Sequence, residues 1–472
     1  MKTRYGILCL IILFLSSVAQ AGETVSKTTA DDQTNVEVTV YNSNLGLIKD
    51  TRKVTIPRGE VELRFTDVAS QIMPVTVHVQ SLNYPDKFSV LEQNYEYDLI
   101  SEKKLFDKYV GKKIKIIDEN KFQDRKETVE AVLLSNNQGQ IYSINDEIYL
   151  GYPGIKVLPE IPENLIAKPT LTWLCDNSET TPHRLEVSYL TGGITWEADY
   201  VMTLDKNDTS SGMSGWVTIG NKSGATYSNA TLKLIAGSVH RVTQQPRDGI
   251  YQMERMAKSG APQFKEQSFF EYHIYDLQRK TTIKDQQTKQ IKLLEATGIT
   301  LRKEFLIRGT KGRYTGRATE ESIKLPAAVY IIFENTSNNG LGMPLPEGTV
   351  RLYKADSSGG QQFIGEDRIR HTPKDEEVRL KVGKAFDIAA EKTQIDFKRI
   401  TSRMYESEWE IVLRNHRKDD ATVGLLEPMT ENWKILSSSH SFQKVDAFTI
   451  RFDVKIPKDK EIKIRYRVRS GL

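Results

Sequence analysis

Three small groups of residues have the types and spacing that chemistry needs. Glu197 and Asp199 stand two apart in Ile194-Thr-Trp-Glu-Ala-Asp-Tyr200. On an extended strand, residues two apart point to one face, so both carboxylates share a side. Paired carboxylates of this kind can serve glycoside hydrolysis. Trp196 falls on the opposite face and is not placed to stack a sugar beside them. The competing reading is a solvent face opposite a buried Trp196. Glu271, His273 and Tyr275 share a strand face in the same way, opposite Tyr272 and Ile274. They could hold a divalent metal or form an acid–base pair, or be no more than a polar outer face. The third group is the turn-rich stretch Asn338-Asn-Gly-Leu-Gly-Met-Pro-Leu-Pro-Glu347. A loop with exposed apolar residues can dock a partner. Asn339, Leu341, Met343 and Pro344 are the candidate contacts, and the alternative is a loop that closes a sheet edge.

Local motifs add little to these. The chain has seven histidines, and none forms a His-Glu-x-x-His zinc helix. A Gly-x-Ser-x-Gly elbow, a phosphate-binding glycine loop and a calcium loop are all missing from the sequence. A catalytic triad can still assemble from distant positions, so an enzyme is not ruled out. No cofactor and no metal are expected. Of the two cysteines, Cys9 and Cys175, the second sits in the apolar run Leu171-Thr-Trp-Leu-Cys175. It reads as a buried, inert thiol.

The N-terminus predicts where the protein works. Lys2 and Arg4 precede an unbroken apolar stretch, Ile7 to Leu15, and then Ala19-Gln20-Ala21. This is the pattern of a secretory signal peptide cleaved near Ala21. The apolar stretch is too short to span a bilayer, and no later segment is long enough. The expectation is an exported protein, periplasmic or secreted, with no transmembrane segment after cleavage. Cleavage removes Cys9, so no intramolecular disulfide can form. The formal charge of +4 falls to +2 once Lys2 and Arg4 leave. That near balance argues against nucleic acid as a partner.

The elements that must position the three groups are mostly strands. Residues 22–35 lack periodicity and read as a flexible tail. Residues 36–97 alternate with period two, with Val36, Val38 and Val40, then Val54 and Ile56, then Val61, Leu63 and Phe65. Ile56-Pro57-Arg58-Gly59-Glu60 reads as a hairpin turn. Residues 98–160 change character. Leu99, Phe106 and Val110 share a helical face, Gly111 supplies a left-handed cap, and five short strands follow. A helix leading five short strands fits a small SH3-like or Sm-like barrel. Residues 161–240 read as a β-sandwich-like domain that could share a core with 36–97. Residues 241–268 read as a linker or loop, and 269–472 as C-terminal β-sandwich-like domain or domains. Within the last, 269–300 alternates like strands, although 284–296 also fits a helix. Val54-x-Ile56-Pro57 with Val61-x-Leu63-x-Phe65 recurs as Val454-x-Ile456-Pro457 with Ile462-x-Ile464-x-Tyr466. Duplicated domains or a shared turn solution would each explain this.

Several stretches together carry a family resemblance. They are Leu91-Glu-Gln-Asn-Tyr-Glu-Tyr-Asp98, Tyr189-Leu-Thr-Gly-Gly-Ile-Thr-Trp-Glu-Ala-Asp-Tyr200, Gly215-Trp-Val-Thr-Ile-Gly-Asn-Lys-Ser-Gly-Ala-Thr-Tyr227, Gly340-Leu-Gly-Met-Pro-Leu-Pro-Glu-Gly-Thr-Val350 and His371-Thr-Pro-Lys-Asp-Glu-Glu-Val378. Spread over nearly the whole chain, they resemble the bacterial domain-of-unknown-function family (DUF 4139). The mucoidy inhibitor A group is a looser relative. The resemblance implies an exported or envelope-associated, mainly β protein, and it supplies no activity or site residues. The helix-plus-barrel segment stands where the looser relatives hold a coiled coil.

The expectation is therefore a mainly β, multidomain protein with β-sandwich-like domains and one small barrel. Functionally it reads as a non-enzymatic binding or assembly module of the cell envelope, meeting an envelope protein or a surface polymer through loops and sheet edges. The alternative is a hydrolase of envelope or external polymers, with Glu197 and Asp199 as its first catalytic candidates. That alternative requires carboxylates converging in a cleft. Side chains on an outer sheet face would count against it.

Overall fold

The computed structural model describes residues 25–120, 125–162, 165–237, 264–269, 272–310, 314–318 and 322–471. The chain is mainly β with several sheets. Its described residues divide into two compact units, one drawn from 25–36, 47–191 and 223–225, the other from 37–46, 192–222 and 226–471. Of the expected 161–240 domain, 161–191 and 223–225 therefore fall in the first unit, and 192–222 and 226–237 in the second. The expected leader and residues 241–263 of the expected linker lie outside the described residues. No described helix is long and apolar enough to cross a membrane.

Two stretches read as loose are strands. In the expected tail 22–35, Val25–Thr28 runs parallel to Gly59–Thr66. A short turn, Ala30–Asp32, follows, with Thr29 and Asp32 each accepting a backbone N–H of the other's end. An edge strand needs only main-chain partners, so it leaves little apolar periodicity to read. At the end of the expected linker, Phe264–Phe269 pairs antiparallel with Tyr272–Leu277. Gln287–Arg308, where strand and helix competed, is one 22-residue strand.

In the first unit, Thr170–Asn177 lies between Gly59–Thr66 and Phe88–Glu96. Segments 36–97 and 161–191 thus share a sheet. Phe65 faces Leu171, Leu63 faces Trp173, and Val61 faces Cys175. All six are buried, and burying a large apolar side chain is worth about 1.5–3 kcal/mol. Leu45–Val54 belongs to a different sheet, beside His183–Thr191. So residues 56–60 do not form the expected hairpin turn; they arch from one sheet to the other. Pro57 cannot donate to a ladder, and the carbonyls of Ile56 and Pro57 are taken by Asn177 Nδ2 at 2.9 and 3.0 Å. Gly59 follows at φ +95°, a conformation that favours glycine. Burial pushes the Cys175 thiol up to about 12, which leaves it a buried, protonated hydrophobe.

The small barrel also belongs to this unit. Ser101 caps the helix Glu102–Tyr109 through Lys104 N at 3.3 Å, and Gly111 follows at φ +82°. Leu99 therefore precedes the helix and Val110 lies beyond it, exposed. The buried helical face is Phe106 and Tyr109. These pack on Ile114, Ile116, Ala131, Leu133, Tyr142 and Ile144. The strand order is Glu147–Leu150, Ile141–Ile144, Arg125–Ser135, Lys113–Asn120, Ile155–Val157.

The second unit holds two sheets. In one, Tyr227–Ala236 lies between Tyr272–Leu277 and the strand ending at Tyr41. The other runs Gln361–Ile369, Gly348–Ala355, Ile194–Leu204, Ser210–Asn221, Gln287–Arg308, Ile323–Glu334, Glu377–Arg399, Met404–Asn415, Lys460–Gly471, Asn432–Ser438. Ala421–Pro428 adds parallel to Phe305–Arg308 and antiparallel to Thr449–Ile456. Its C-terminal part surrounds a core that includes Ile307, Trp409, Ile411, Leu425, Phe452 and Tyr466.

Candidate functional site

Ile194–Leu204 alternates strictly between its two faces. Trp196 and Tyr200 point inward: Trp196 Nε1 donates to Ile235 O at 3.2 Å, and the Tyr200 hydroxyl donates to Pro346 O at 2.9 Å. Glu197 and Asp199 occupy the outward face, where Glu197 is exposed and Asp199 half-buried. Asp199 accepts from Thr218 Oγ1 at 2.7 Å and from Arg351 Nη1 at 3.0 Å. The hydrogen bond to Asp199 raises the Arg351 guanidinium above its ordinary value. Arg351 also lies 3.4 Å from Glu366. A carboxylate held by a guanidinium and a hydroxyl is a structural anion on an outer face. This is the placement that counts against the hydrolase reading.

The second group is taken apart by the fold. Glu271 lies outside the described residues. His273 Nδ1 is 2.7 Å from Glu266 Oε1 on the neighbouring strand. Tyr275, expected on the polar outer face, is buried against Trp196 with ring centroids 6.2 Å apart. Its hydroxyl donates to Pro344 O at 2.9 Å. Both faces of this strand are covered, which alternation alone does not reveal. Burial lowers His371 below its ordinary value, Glu347 opposes that, and the charge of nearby His273 adds to it. Its Nδ1 accepts from Glu347 N at 3.1 Å. Among the described residues, no three His, Cys, Asp or Glu side chains stand close enough to hold a metal ion.

The 338–347 loop is fastened to its own unit. Pro344 and Pro346 carbonyls receive the buried tyrosine hydroxyls just described. Met343 O accepts from Asn335 Nδ2 at 2.8 Å, and Gly342 N donates to Asn335 Oδ1 at 3.1 Å. Asn339 accepts from Thr300 N at 3.2 Å and donates to Glu334 O at 2.9 Å. Leu341, Met343 and Pro344 are half-buried and Leu345 is buried. The loop thus closes the entry to Gly348–Ala355 and is not the exposed apolar tip that docking would use. The tyrosines that anchor it carry no local sequence signal, since their partners are 69 and 146 residues away.

Exposed apolar surface gathers on the small barrel instead. Its two end strands, Glu147–Leu150 and Ile155–Val157, are separated by only four residues. Ile148 is 69 % exposed, Leu150 83 % and Ile155 60 %. Val157 and Ile161 are exposed as well. Gly154 sets the turn between them at φ +103°, where a Cβ would lie 2.5 Å from Ile117 O. Neither end strand has a second ladder partner among the described residues. Natural edge strands usually carry charges or prolines outward to prevent pairing. These carry isoleucine, leucine and valine.

A further cluster carries no local motif. Lys392 and Glu427 are buried and in direct contact through Nζ and Oε2 inside the C-terminal core. Tyr314 and Tyr466 hydroxyls donate to the same Oε2 at 2.8 and 2.9 Å. Lys392 Nζ lies 4.5 Å from the Trp409 ring centroid. Glu427 Oε1 is buried with no hydrogen-bond partner among the described residues. A signal did exist: Ile388-x-Ala390-x-Lys392 and Val423-x-Leu425-x-Glu427 each set a charge at the third inward position of an alternating strand.

Compared with known proteins, the chain matches no family model, and no curated protein matches it either.

Proposed function

We propose that this chain is an exported cell-envelope protein that works by binding, and that its small barrel recruits another protein by strand addition. The carrying observation is the pair of end strands, each with one ladder edge open among the described residues, with Ile148, Leu150, Ile155 and Val157 exposed. An exposed edge offers a row of N–H and C=O groups, which gives affinity, while alternating side chains give selectivity. An apolar outward face adds desolvation energy of about 25 cal/mol for each Å² covered. The occupant that fits is an extended apolar segment of a partner protein. The surface polymer of the earlier expectation offers no such segment. The sequence at residues 1–21 supports export, and the resemblance over five stretches supports an envelope role.

The test is crosslinking of the tagged protein in its native envelope, followed by mass spectrometry. A photoreactive residue at position 148 or 155 should capture one partner in stoichiometric yield. A Leu150→Lys substitution should abolish capture while leaving the folded protein intact by circular dichroism. Capture that survives Leu150→Lys, or that maps only to the 338–347 loop, would overturn the barrel-edge reading.

A further inference from the structure

Lys392 and Glu427 sit on strands that are not neighbours. Ala421–Pro428 pairs with Gln287–Arg308, which pairs with Ile323–Glu334, which pairs with Glu377–Arg399. The contact therefore crosses the interior that the sheet encloses. Lys392 is 2 % exposed and Glu427 0 %. Two opposite charges in a dry interior carry a desolvation penalty that their attraction offsets only when the remaining polar atoms are satisfied. Here they are not, because Oε1 of Glu427 has no partner among the described residues. An unsatisfied oxygen is costlier on a carboxylate than on a neutral carbonyl.

The chemistry of the contact offers a way out. An amine and a carboxyl group held against each other in a water-poor site have a high effective concentration. The arrangement also favours one oxygen as the leaving group. Tyr314 and Tyr466 both donate to Oε2, and Lys392 Nζ touches it too. Burial, reinforced by the charge of Glu427, holds both phenols well above their ordinary value, so they stay hydroxyl donors. Gly309 leaves room for the other oxygen, since a Cβ there would lie 2.3 Å from Oε1.

We propose that Lys392 and Glu427 condense into an intramolecular amide that ties the strand Glu377–Arg399 covalently to Ala421–Pro428 across the core. One ammonium proton first passes from Nζ to Oε2, which frees the nitrogen lone pair; Nζ then attacks Cδ, the N–C bond forms, and the Cδ–Oε2 bond breaks. Of the three ammonium protons, one stays on the amide nitrogen and two leave with Oε2 as water. No oxidant, reductant or outside proton is consumed. Oε1 remains as the amide carbonyl. Two buried charges disappear, and the unpartnered oxygen becomes a neutral one.

The first unit supplies an internal control. Arg52 and Asp50 form a comparably buried pair at 2.8 Å, with Arg52 also donating to Thr66 O at 2.9 Å. A guanidinium is delocalised and permanently charged, so it does not attack a carboxyl group. The chain should lose one water and not two.

The experiment is intact-mass measurement of the folded, purified full chain after denaturation, with the N-terminal residue fixed from the same protein's digest. The expected mass is one water below that of the sequence. A digest should contain one branched species joining the peptides that carry residues 392 and 427. Lys392→Arg keeps the charge and should restore the full mass. Because a single change can unfold the core, the double variant Lys392→Met, Glu427→Leu should also be measured. It should fold and show the full mass. A folded wild-type chain at its full sequence mass overturns the proposal. So does a water loss that maps to other residues or persists in Lys392→Arg.

Discussion

The arch at residues 54–60 in the first unit, between two sheets, and the connection at 454–460 in the second, between unpaired strands of one sheet, are closed alike, although their chains run differently. In the first, Asn177 pairs with Gly59, Cys175 with Val61 and Leu171 with Phe65. In the second, Asn415 pairs with Lys460, Leu413 with Ile462 and Trp409 with Tyr466. Asn177 Nδ2 donates to Ile56 O and Pro57 O at 2.9 and 3.0 Å; Asn415 Nδ2 donates to Ile456 O and Pro457 O at 3.1 and 3.3 Å. Each asparagine also binds a carbonyl just after its own strand, Glu179 O or Asp419 O. Yet the asparagine strand comes after the arch in the first unit and before it in the second. Copying one contiguous segment in tandem would keep that order. What recurs is a physical solution: a proline removes a donor, two carbonyls are left over, and a buried amide takes both.

The two arches differ in the charges they bury. The Arg52 guanidinium carbon lies over Phe65, 3.5 Å from the ring centroid, while Lys392 Nζ lies over Trp409. Both choices pair a cation with an aromatic face and a carboxylate. The guanidinium fork takes Asp50 Oδ2 through both Nε and Nη2. The ammonium is a compact point charge, and the amine it leaves on losing a proton is a nucleophile.

The largest effect expected from breaking this comparison is removal of one charge. Arg52→Met or Lys392→Met strands a buried carboxylate and should cost about 3–5 kcal/mol, read by denaturant unfolding of each unit. Adding Glu427→Leu to Lys392→Met should recover the part of that loss due to the stranded carboxylate and leave the part due to the missing amide tie. A single variant within about 1 kcal/mol of wild type would show that water reaches the pair. Next come the asparagines. Asn177→Ala and Asn415→Ala each leave buried carbonyls without donors and should cost roughly 3 kcal/mol apiece. Unequal losses would mean that one arch is closed by something besides its amide.

Cys175 sharpens the comparison further, because Leu413 takes its place in the second unit. Its thiol is raised from 9.0 to about 12 by burial. The raised value stabilises the folded state fully below pH 9, and that contribution is lost as pH climbs toward about 12. Cys175→Val should remove this alkaline loss, and a thiol reagent at pH 8 should react only as fast as the first unit opens. Labelling at the rate of a free thiol would refute the burial. The smallest effect belongs to the outer face. Asp199→Asn should cost less than about 1 kcal/mol. A loss of polymer-cleaving activity in that variant, measured with envelope polymers, would revive the hydrolase reading.

Much of the fold was legible in the residues. Short strands near 113–117, 140–144 and 147–150, the cap at Gly111 and the alternation of 194–204 follow from local rules, because each depends on neighbours two to four positions away. The site was legible only in its parts. Asp199 was visible as a carboxylate on an outward face, but its partner Arg351 lies 152 residues away. Tyr275 looked polar-facing because its strand is covered on both sides by segments that alternation does not mention. The apolar residues 148, 150, 155 and 157 were visible as ordinary strand positions, and only the sheet order shows them as two open ends.

The sequence by itself determined that this is a mainly β chain, since period-two alternation is written residue by residue. It also determined where glycine must turn the chain, as at Gly59 and Gly111. Tertiary structure decided whether a turn closes a hairpin or arches between sheets, since the same Pro-x-Gly segment serves either until its carbonyls find a donor. It also decided that Lys392 meets Glu427: inward alternation says only that each is buried, and the partner of a buried charge is set by which strands enclose it.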